Sequence, residues 1–178
     1  MKNRTLFGLQ LFSDAVAGKK IVYLYRIAST EKDHDATVIA FTTENERTKS
    51  RDVETTATKD GTIVTPGTTE GEITASSKLK AGDALIDKLE DAMDSGEMME
   101  IWEVNLAEPQ EKSSNKFKSK YFHGYITEID QTSNAEDDVE LSLTFKLEGN
   151  GAKGYATVTA EQQEIAAYAF KDTQKTGA

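Results

Sequence analysis

Alternation of apolar and polar positions is strongest late in the chain. Val139, Leu141, Leu143, Phe145 and Leu147 alternate with Glu140, Ser142, Thr144 and Lys146, so an extended segment there has one apolar face and one wet face. The same period of two runs through 69–79, where Gly71, Ile73, Ala75, Ser77 and Leu79 alternate with Glu70, Glu72, Thr74, Ser76 and Lys78. The run 21–27 is β-branched and aromatic with no helical spacing, which reads as a strand covered on both faces. Residues 37–43 are its expected partner. Further strands are expected at 98–106, which holds the only tryptophan, Trp102, and at 122–127, with 155–158 extended.

The period becomes helical once in full. Leu85, Ile86, Leu89, Ala92 and Met93 share a face, Asp83 stands at the N-cap position, and Ser95-Gly96 ends the run. The opposite face is acidic, with Asp87, Glu90, Asp91 and Asp94. Asp91 and Asp94 oppose the helix dipole, at up to about 0.3–1 kcal/mol each when exposed, a cost that a basic partner on a neighbouring subunit would offset. A second, short helix is opened by the capping box Thr159-Ala160-Glu161-Gln162 and is expected to run to about Phe170, with residues 172–178 fraying. Gly149-Asn150-Gly151 reads as a turn and the polar run 109–120 as a loop. The sum is one α+β domain over residues 1–178, mainly antiparallel.

Residues 47–69 stand apart. They are rich in threonine and charge, with few aliphatics, and centre on Asp60-Gly61, a pair favoured in tight hairpin turns. Folded about that pair, Thr58 faces Ile63 and Ala57 faces Val64. A hairpin this long and thinly apolar buries little against its own domain, and such edges are kept where another chain pairs with them. Periodicity leaves two readings, a flexible surface hairpin and a self-assembly element; on the second, Val53, Thr55, Ala57, Lys59, Asp60, Gly61, Ile63 and Val64 are the candidate contacts between subunits or rings.

Composition narrows the chemistry. The 178 residues carry 31 Asp and Glu against 21 Lys and Arg, for a net charge of −10, with no cysteine. Thiolate catalysis, zinc–thiolate sites and disulfides are excluded together. The acid is uneven: residues 1–60 hold 10 basic and 9 acidic side chains, and the rest hold 11 and 22. An acidic surface repels phosphates and anionic lipid, and neither a membrane span nor a signal peptide is expected.

Two histidines are available, His34 and His123. His34 lies between Asp33 and Asp35 but has no second histidine near it for a metal, and reads as a solvated loop residue. His123 has no recognisable nucleophile or orienting partner, and reads as a partly buried strand residue. The helix carboxylates lack calcium-loop spacing, and Gly149, Gly151 and Gly154 lack a nucleotide-binding pattern. Lys112, Lys116, Lys118 and Lys120 around Phe117 read as a solvated basic loop. No catalytic, cofactor or metal site is expected, and an enzyme is disfavoured.

The order of segments resembles a known family. Ser50-Arg51-Asp52-Val53-Glu54-Thr55-Thr56-Ala57-Thr58-Lys59-Asp60-Gly61-Thr62-Ile63-Val64-Thr65-Pro66-Gly67 is followed by Gly82-Asp83-Ala84-Leu85-Ile86-Asp87-Lys88-Leu89-Glu90-Asp91-Ala92-Met93. Then come Glu100-Ile101-Trp102-Glu103-Val104-Asn105, the alternating run 139–145 and Gly154-Tyr155-Ala156-Thr157-Val158-Thr159. Together they resemble the phage major tail proteins, the tail tube subunits of long-tailed non-contractile bacteriophages. The resemblance implies a β-sandwich- or barrel-like domain with one long flanking helix and a short C-terminal helix. It also implies self-assembly into stacked hexameric rings, with the tape measure protein and later DNA in the channel and with distal tail and tail terminator proteins at the ends. It implies a virion location, assembly in the host cytoplasm, and no cofactor. The rival reading is a β-rich module that binds a host surface or carbohydrate, for which exposed aromatic loops are expected; here the loops are charged and threonine-rich.

Overall fold

The computed structural model describes residues 16–79, 84–112, 114–133, 135 and 137–167. Six strands, β1 (Ile21–Ile27), β2 (Thr42–Thr58), β3 (Gly61–Lys78), β4 (Met99–Pro109), β5 (Lys116–Thr132) and β6 (Glu140–Thr157), form one sheet in the order β1-β4-β5-β6-β3-β2. Every neighbouring pair is antiparallel. Helix α1 (Ala84–Ser95) joins β3 to β4, and α2 (Ala160–Ala167) follows β6.

The sheet is strongly staggered. β4 meets β5 through residues 117–124, whereas β3 meets β6 through 140–147, which lie opposite 124–132 of β5. Stagger combined with twist rolls a sheet towards closure. The roll is visible in contacts between strands that are far apart in the sheet order. The Tyr25 hydroxyl on β1 donates to Asn45 Oδ1 on β2 at 2.9 Å, and the Arg47 guanidinium on β2 lies 5.8 Å from the Phe122 ring centre on β5.

The inside of the roll holds the larger core: Tyr23, Tyr25, Ile73, Ala75, Met99, Ile101, Phe122, Ile126, Leu141, Leu143 and Phe145. Leu89 and Ala92 of α1, 2% and 3% exposed, close it. A smaller cluster on the outer face joins Val22, Leu24, Val104, Phe117 and Val158, with Ala36 and Val38 packed against it. β1 therefore gives Tyr23 and Tyr25 to one core and Val22 and Leu24 to the other, as its unbroken apolar run predicts.

The helix boundaries follow local chemistry. At the end of α1, the Gly96 amide donates to Met93 O at 3.1 Å and the Glu97 amide to Ala92 O at 2.8 Å, the paired bonds of a Schellman stop. Before α2, the Gln162 amide donates to Thr159 Oγ1 at 3.2 Å and the Thr159 amide to Gln162 Oε1 at 3.0 Å, a complete capping box. The predicted Asp83 cap, the extension of α2 to Phe170 and the fraying tail lie outside the described residues.

Four expectations are corrected. β1 pairs with β4 through seven rungs, Ile21–Asn105 to Ile27–Met99, and 37–43 supplies only the single bridge Tyr25–Thr37. The cause is a turn at Ala40-Phe41, with Phe41 at φ 54° and Thr42 Oγ1 donating to Ile39 O at 2.7 Å, which redirects the chain into β2. The expected loop 109–120 shrinks to about 110–115, because Phe117 and Ser119 alternate into the outer core while Lys116, Lys118 and Lys120 take the other face. Gly149-Asn150-Gly151 is a bulge inside β6, where Tyr121 and His123 of β5 pair with Ala152 and Glu148. The hairpin turns at Lys59-Asp60, so Thr58 faces Gly61, Thr56 faces Ile63 and Thr55 faces Val64. That register is two residues from the expected one, which keeps each side chain on its face.

Candidate assembly surfaces

The β2–β3 hairpin leaves the body of the sheet at Gly71, the last β3 residue paired with β6. Beyond it β3 has only β2 as a neighbour, and every residue from Thr48 to Thr68 is exposed. The ladder between β2 and β3 satisfies the backbone groups that face one another, apart from the irregularity between Arg51 and Val53, and it gives the hairpin its shape with almost no core of its own. Cross-strand partners share a face. Val53 with Pro66, Thr55 with Val64 and Ala57 with Thr62 form one side, and Thr56 with Ile63 the other. Val53, Ile63 and Val64 are 58%, 57% and 57% exposed, which gives both sides apolar contact area. Lys59 and Asp60 form the tip, and Gly61 opens β3 at φ 143°. The structure thus brings the predicted hairpin residues onto one projecting element, and no described strand pairs with the outer edge of β2.

The four predicted helix carboxylates, Asp87, Glu90, Asp91 and Asp94, are exposed on the side of α1 away from Leu89 and Ala92. None has a basic partner among the described residues.

The titratable groups that do converge hold strands together. On the outer face, Glu100, 6% exposed, accepts from Arg26 Nε at 2.7 Å and from the Tyr121 hydroxyl. Arg26 also stacks on Trp102, 5.2 Å from its ring centre. On the inner face, Glu103 accepts from Tyr23 Oη at 3.0 Å, Lys120 Nζ at 2.9 Å and Arg47 Nε. Burial alone would raise both carboxyls, but these hydrogen bonds and adjacent cations outweigh it and hold both below the ordinary carboxylate value. Burial pushes the Tyr23 and Tyr25 hydroxyls above the ordinary tyrosine value, and the Glu103 charge adds to the shift at Tyr23.

His34 is exposed in its loop, as expected. His123 is exposed where partial burial is expected, because Phe122 takes the inward position. Its Nε2 lies 2.6 Å from Tyr121 Oη. Tyr121 gives its one proton to Glu100, so His123 Nε2–H donates to the tyrosine oxygen. The chain Arg26–Glu100–Tyr121–His123 is a clamp across β1, β4 and β5. The sequence reading missed Glu100 and Glu103. A glutamate inside the otherwise apolar run Met98-Met99-Glu100-Ile101-Trp102-Glu103-Val104 is the signal that marks them as paired. No group of three or more potential metal ligands converges among the described residues.

The profile of the phage tail tube protein family matches residues 15–153. A protein assigned to the tail of Staphylococcus phage phiMR25 is 30% identical over 161 residues, covering 88% of this chain and 82% of that one. The chain belongs to the phage tail tube protein family. The tail tube protein of Bacillus phage SPP1 is 24% identical over 149 residues, which are 83% of this chain and 54% of that one. Among solved structures, the SPP1 tail tube matches with TM-score 0.67 and 19% identity over 92% of this chain and 95% of that chain. A chain from the tail of an empty gene transfer agent particle, determined with C6 symmetry, matches with TM-score 0.54 and 13% identity over 82% of this chain and all of that one. The rolled antiparallel sheet with its flanking helix is thus the tail tube fold. This tail tube protein is a structural subunit of a virion tail, and the carbohydrate-binding alternative falls away.

Proposed function

We propose that this tail tube protein assembles into six-membered rings that stack into a tube, and that the β2–β3 hairpin is the element reaching an adjacent subunit or ring. The hairpin carries the reading. It is a two-stranded ladder, interrupted only between Arg51 and Val53, exposed from Thr48 to Thr68 and with no described strand on its outer edge, on a body that is otherwise well packed. Fully burying a Val or Ile side chain is worth about 1.5–3 kcal/mol, so completing the burial of Val53, Ile63 and Val64 at a contact supplies roughly 2–5 kcal/mol per hairpin. The C6 symmetry of the gene transfer agent tail, which shares the fold, favours six subunits per ring.

In this role the protein has no catalytic activity and needs no cofactor. The tape measure protein fills the channel first and DNA later passes through it. Tail terminator and distal tail proteins meet the tube ends, and assembly takes place in the host cytoplasm. The charge of −10 repels a phosphate backbone, which suits a conduit that must not hold its cargo.

Deleting residues 56–65 tests the reading. In the observed register Val53 pairs with Pro66, so the deletion leaves Glu54-Thr55 as a two-residue connection. The shortened chain should fold and melt as a soluble monomer and form no tubes under negative-stain microscopy. Tubes of normal appearance from the deletion variant would overturn the role given to the hairpin.

A further inference from the structure

A cleft of about 140 Å³ opens where the hairpin parts from the sheet. Two features of the chain make it. β3 stops pairing with β6 at Gly71–Leu147, and the bulge at Gly149-Asn150-Gly151 then bends β6 away. Phe122 and Leu147 form its apolar part, and Arg47, Lys49, Lys120 and Lys153 line it. Four cations in one cleft are unexpected in a chain of net charge −10.

The cations are only partly compensated. Glu103 serves both Arg47 and Lys120. The Lys49 ammonium has the neutral amide oxygen of Asn150 at 2.9 Å, and Lys153 has no anionic partner among the described residues. Lys120 and Lys153 are also direct cross-strand partners in the β5–β6 ladder. Like charges opposite one another destabilise such a pair, and an anion between them removes the penalty. No carboxylate lines the cleft.

We propose that this cleft receives carboxylates from α1 of a second copy of the chain. The inference rests on the tube reading and adds to it the side chains that hold neighbours together. Asp87, Glu90, Asp91 and Asp94 are spaced i, i+3, i+4 and i+7, one stripe about 10 Å long, exposed and without a basic partner among the described residues. A side-chain-sized cleft suits carboxylates better than a nucleic-acid backbone, which the overall charge repels. Donor cleft and acceptor stripe are different surfaces, so the contact is head-to-tail and repeats from copy to copy, as ring formation requires.

Charge exchange tests it. Lys49→Glu with Lys153→Glu reverses the cleft, and Asp87→Lys with Glu90→Lys and Asp94→Lys reverses the stripe; all five positions are exposed. Assembly is read by sedimentation and negative-stain microscopy, and folding by the thermal transition. Each variant alone should raise the concentration needed for assembly roughly tenfold or more. An equimolar mixture should restore assembly, because reversed cleft then meets reversed stripe and native meets native. Wild-type assembly should weaken between 0.1 and 1 M salt, as the Debye length falls from about 10 Å to about 3 Å. Should a reversal variant lose its transition, Lys49→Gln with Lys153→Gln replaces it, and its assembly should be weaker and less salt-sensitive than the wild type. Variants that assemble like wild type overturn the inference and leave the tube reading intact. Folded variants whose mixture stays unassembled overturn it as well. A wild-type chain that forms no rings or tubes counts against the tube reading itself and removes the inference with it.

Discussion

Three glycines of β6 separate the cost of an unusual backbone from the cost of lost space. Gly154 has an ordinary φ, and a Cβ there would meet nothing within 4 Å. Gly149 has φ +64° and equally open surroundings. Gly151 has φ +68°, and its Cβ would lie 2.5 Å from Cδ1 and Cε1 of Phe122 and 2.8 Å from the Tyr121 carbonyl oxygen. Gly154→Ala should therefore be neutral within about 0.5 kcal/mol, or slightly stabilising through the unfolded chain. Gly149→Ala should cost about 1–2 kcal/mol for placing a Cβ in the left-handed region. Gly151→Ala adds an overpacking cost of about 1–3 kcal/mol. Phe122 is only 5% exposed and has Arg47 over its ring, so it cannot swing aside freely. The total, roughly 2–5 kcal/mol, corresponds to a fall in Tm of about 4–20 °C at 2–4 °C per kcal/mol for a chain of this length. Thermal unfolding of the unassembled protein, followed by circular dichroism at neutral pH, gives the ranking. Equal losses for Gly149→Ala and Gly151→Ala would show that Phe122 does not wall the bulge, and would refute the account of how the cleft is built.

Four further outcomes follow from the ion pairs and the core. Glu100→Gln removes the carboxylate that Arg26 and Tyr121 share, and should cost about 2–3 kcal/mol in urea unfolding at pH 7. Because Glu100 and Glu103 are held below the ordinary carboxylate value, their stabilisation is complete above about pH 4–5 and is lost as the pH falls through their folded-state values. Glu100→Gln should flatten that acid limb, and an unchanged limb would exclude Glu100 as a source of it. Tyr23 and Tyr25 are raised, so their contribution is present below about pH 10 and is lost on further alkalinisation, visible as tyrosinate absorbance coincident with unfolding. Leu89→Ala, at a site 2% exposed, should cost about 2–5 kcal/mol and loosen α1, read as faster amide exchange in the helix than in β5.

What the sequence made legible was whatever a local period encodes. The alternation at 139–147 and 69–79, the double-sided run of β1 and the apolar stripe of α1 all fall where the pattern put them. Two of the errors share one cause, which is that pairing is not local. Residues 37–43 look like a partner for β1 because they are near in sequence, yet β4 offers seven rungs and the turn at Phe41 leaves only one. Gly149-Asn150-Gly151 has turn chemistry, but β5 continues past it and keeps β6 extended as far as Thr157. Lys116, Lys118 and Lys120 conceal a strand whose period of two is carried by Phe117 and Ser119 on the other side. The hairpin was legible as an element, but its register depended on which two residues form the turn. The basic cleft was invisible, since Lys120 and Lys153 meet only through the β5–β6 ladder and Arg47 and Lys49 join them only through the roll of the sheet.

The open edge of β2 raises the problem of how a subunit waits for assembly without aggregating. A 17-residue strand with no partner on one side among the described residues is a template for any other chain. Its composition limits that risk, because Glu44, Glu46, Arg47, Lys49, Arg51, Asp52 and Glu54 put charge at nearly every turn of the pleat, and no three consecutive residues are apolar. Pairing with an arbitrary partner brings like charges together, while a partner of complementary sequence in the right register neutralises them. The apolar residues sit nearer the tip, where Val53, Ile63 and Val64 are each more than half exposed. In the proposed role, specificity at the base and binding energy at the tip would let one element stay unpaired before assembly and adhere within a tube.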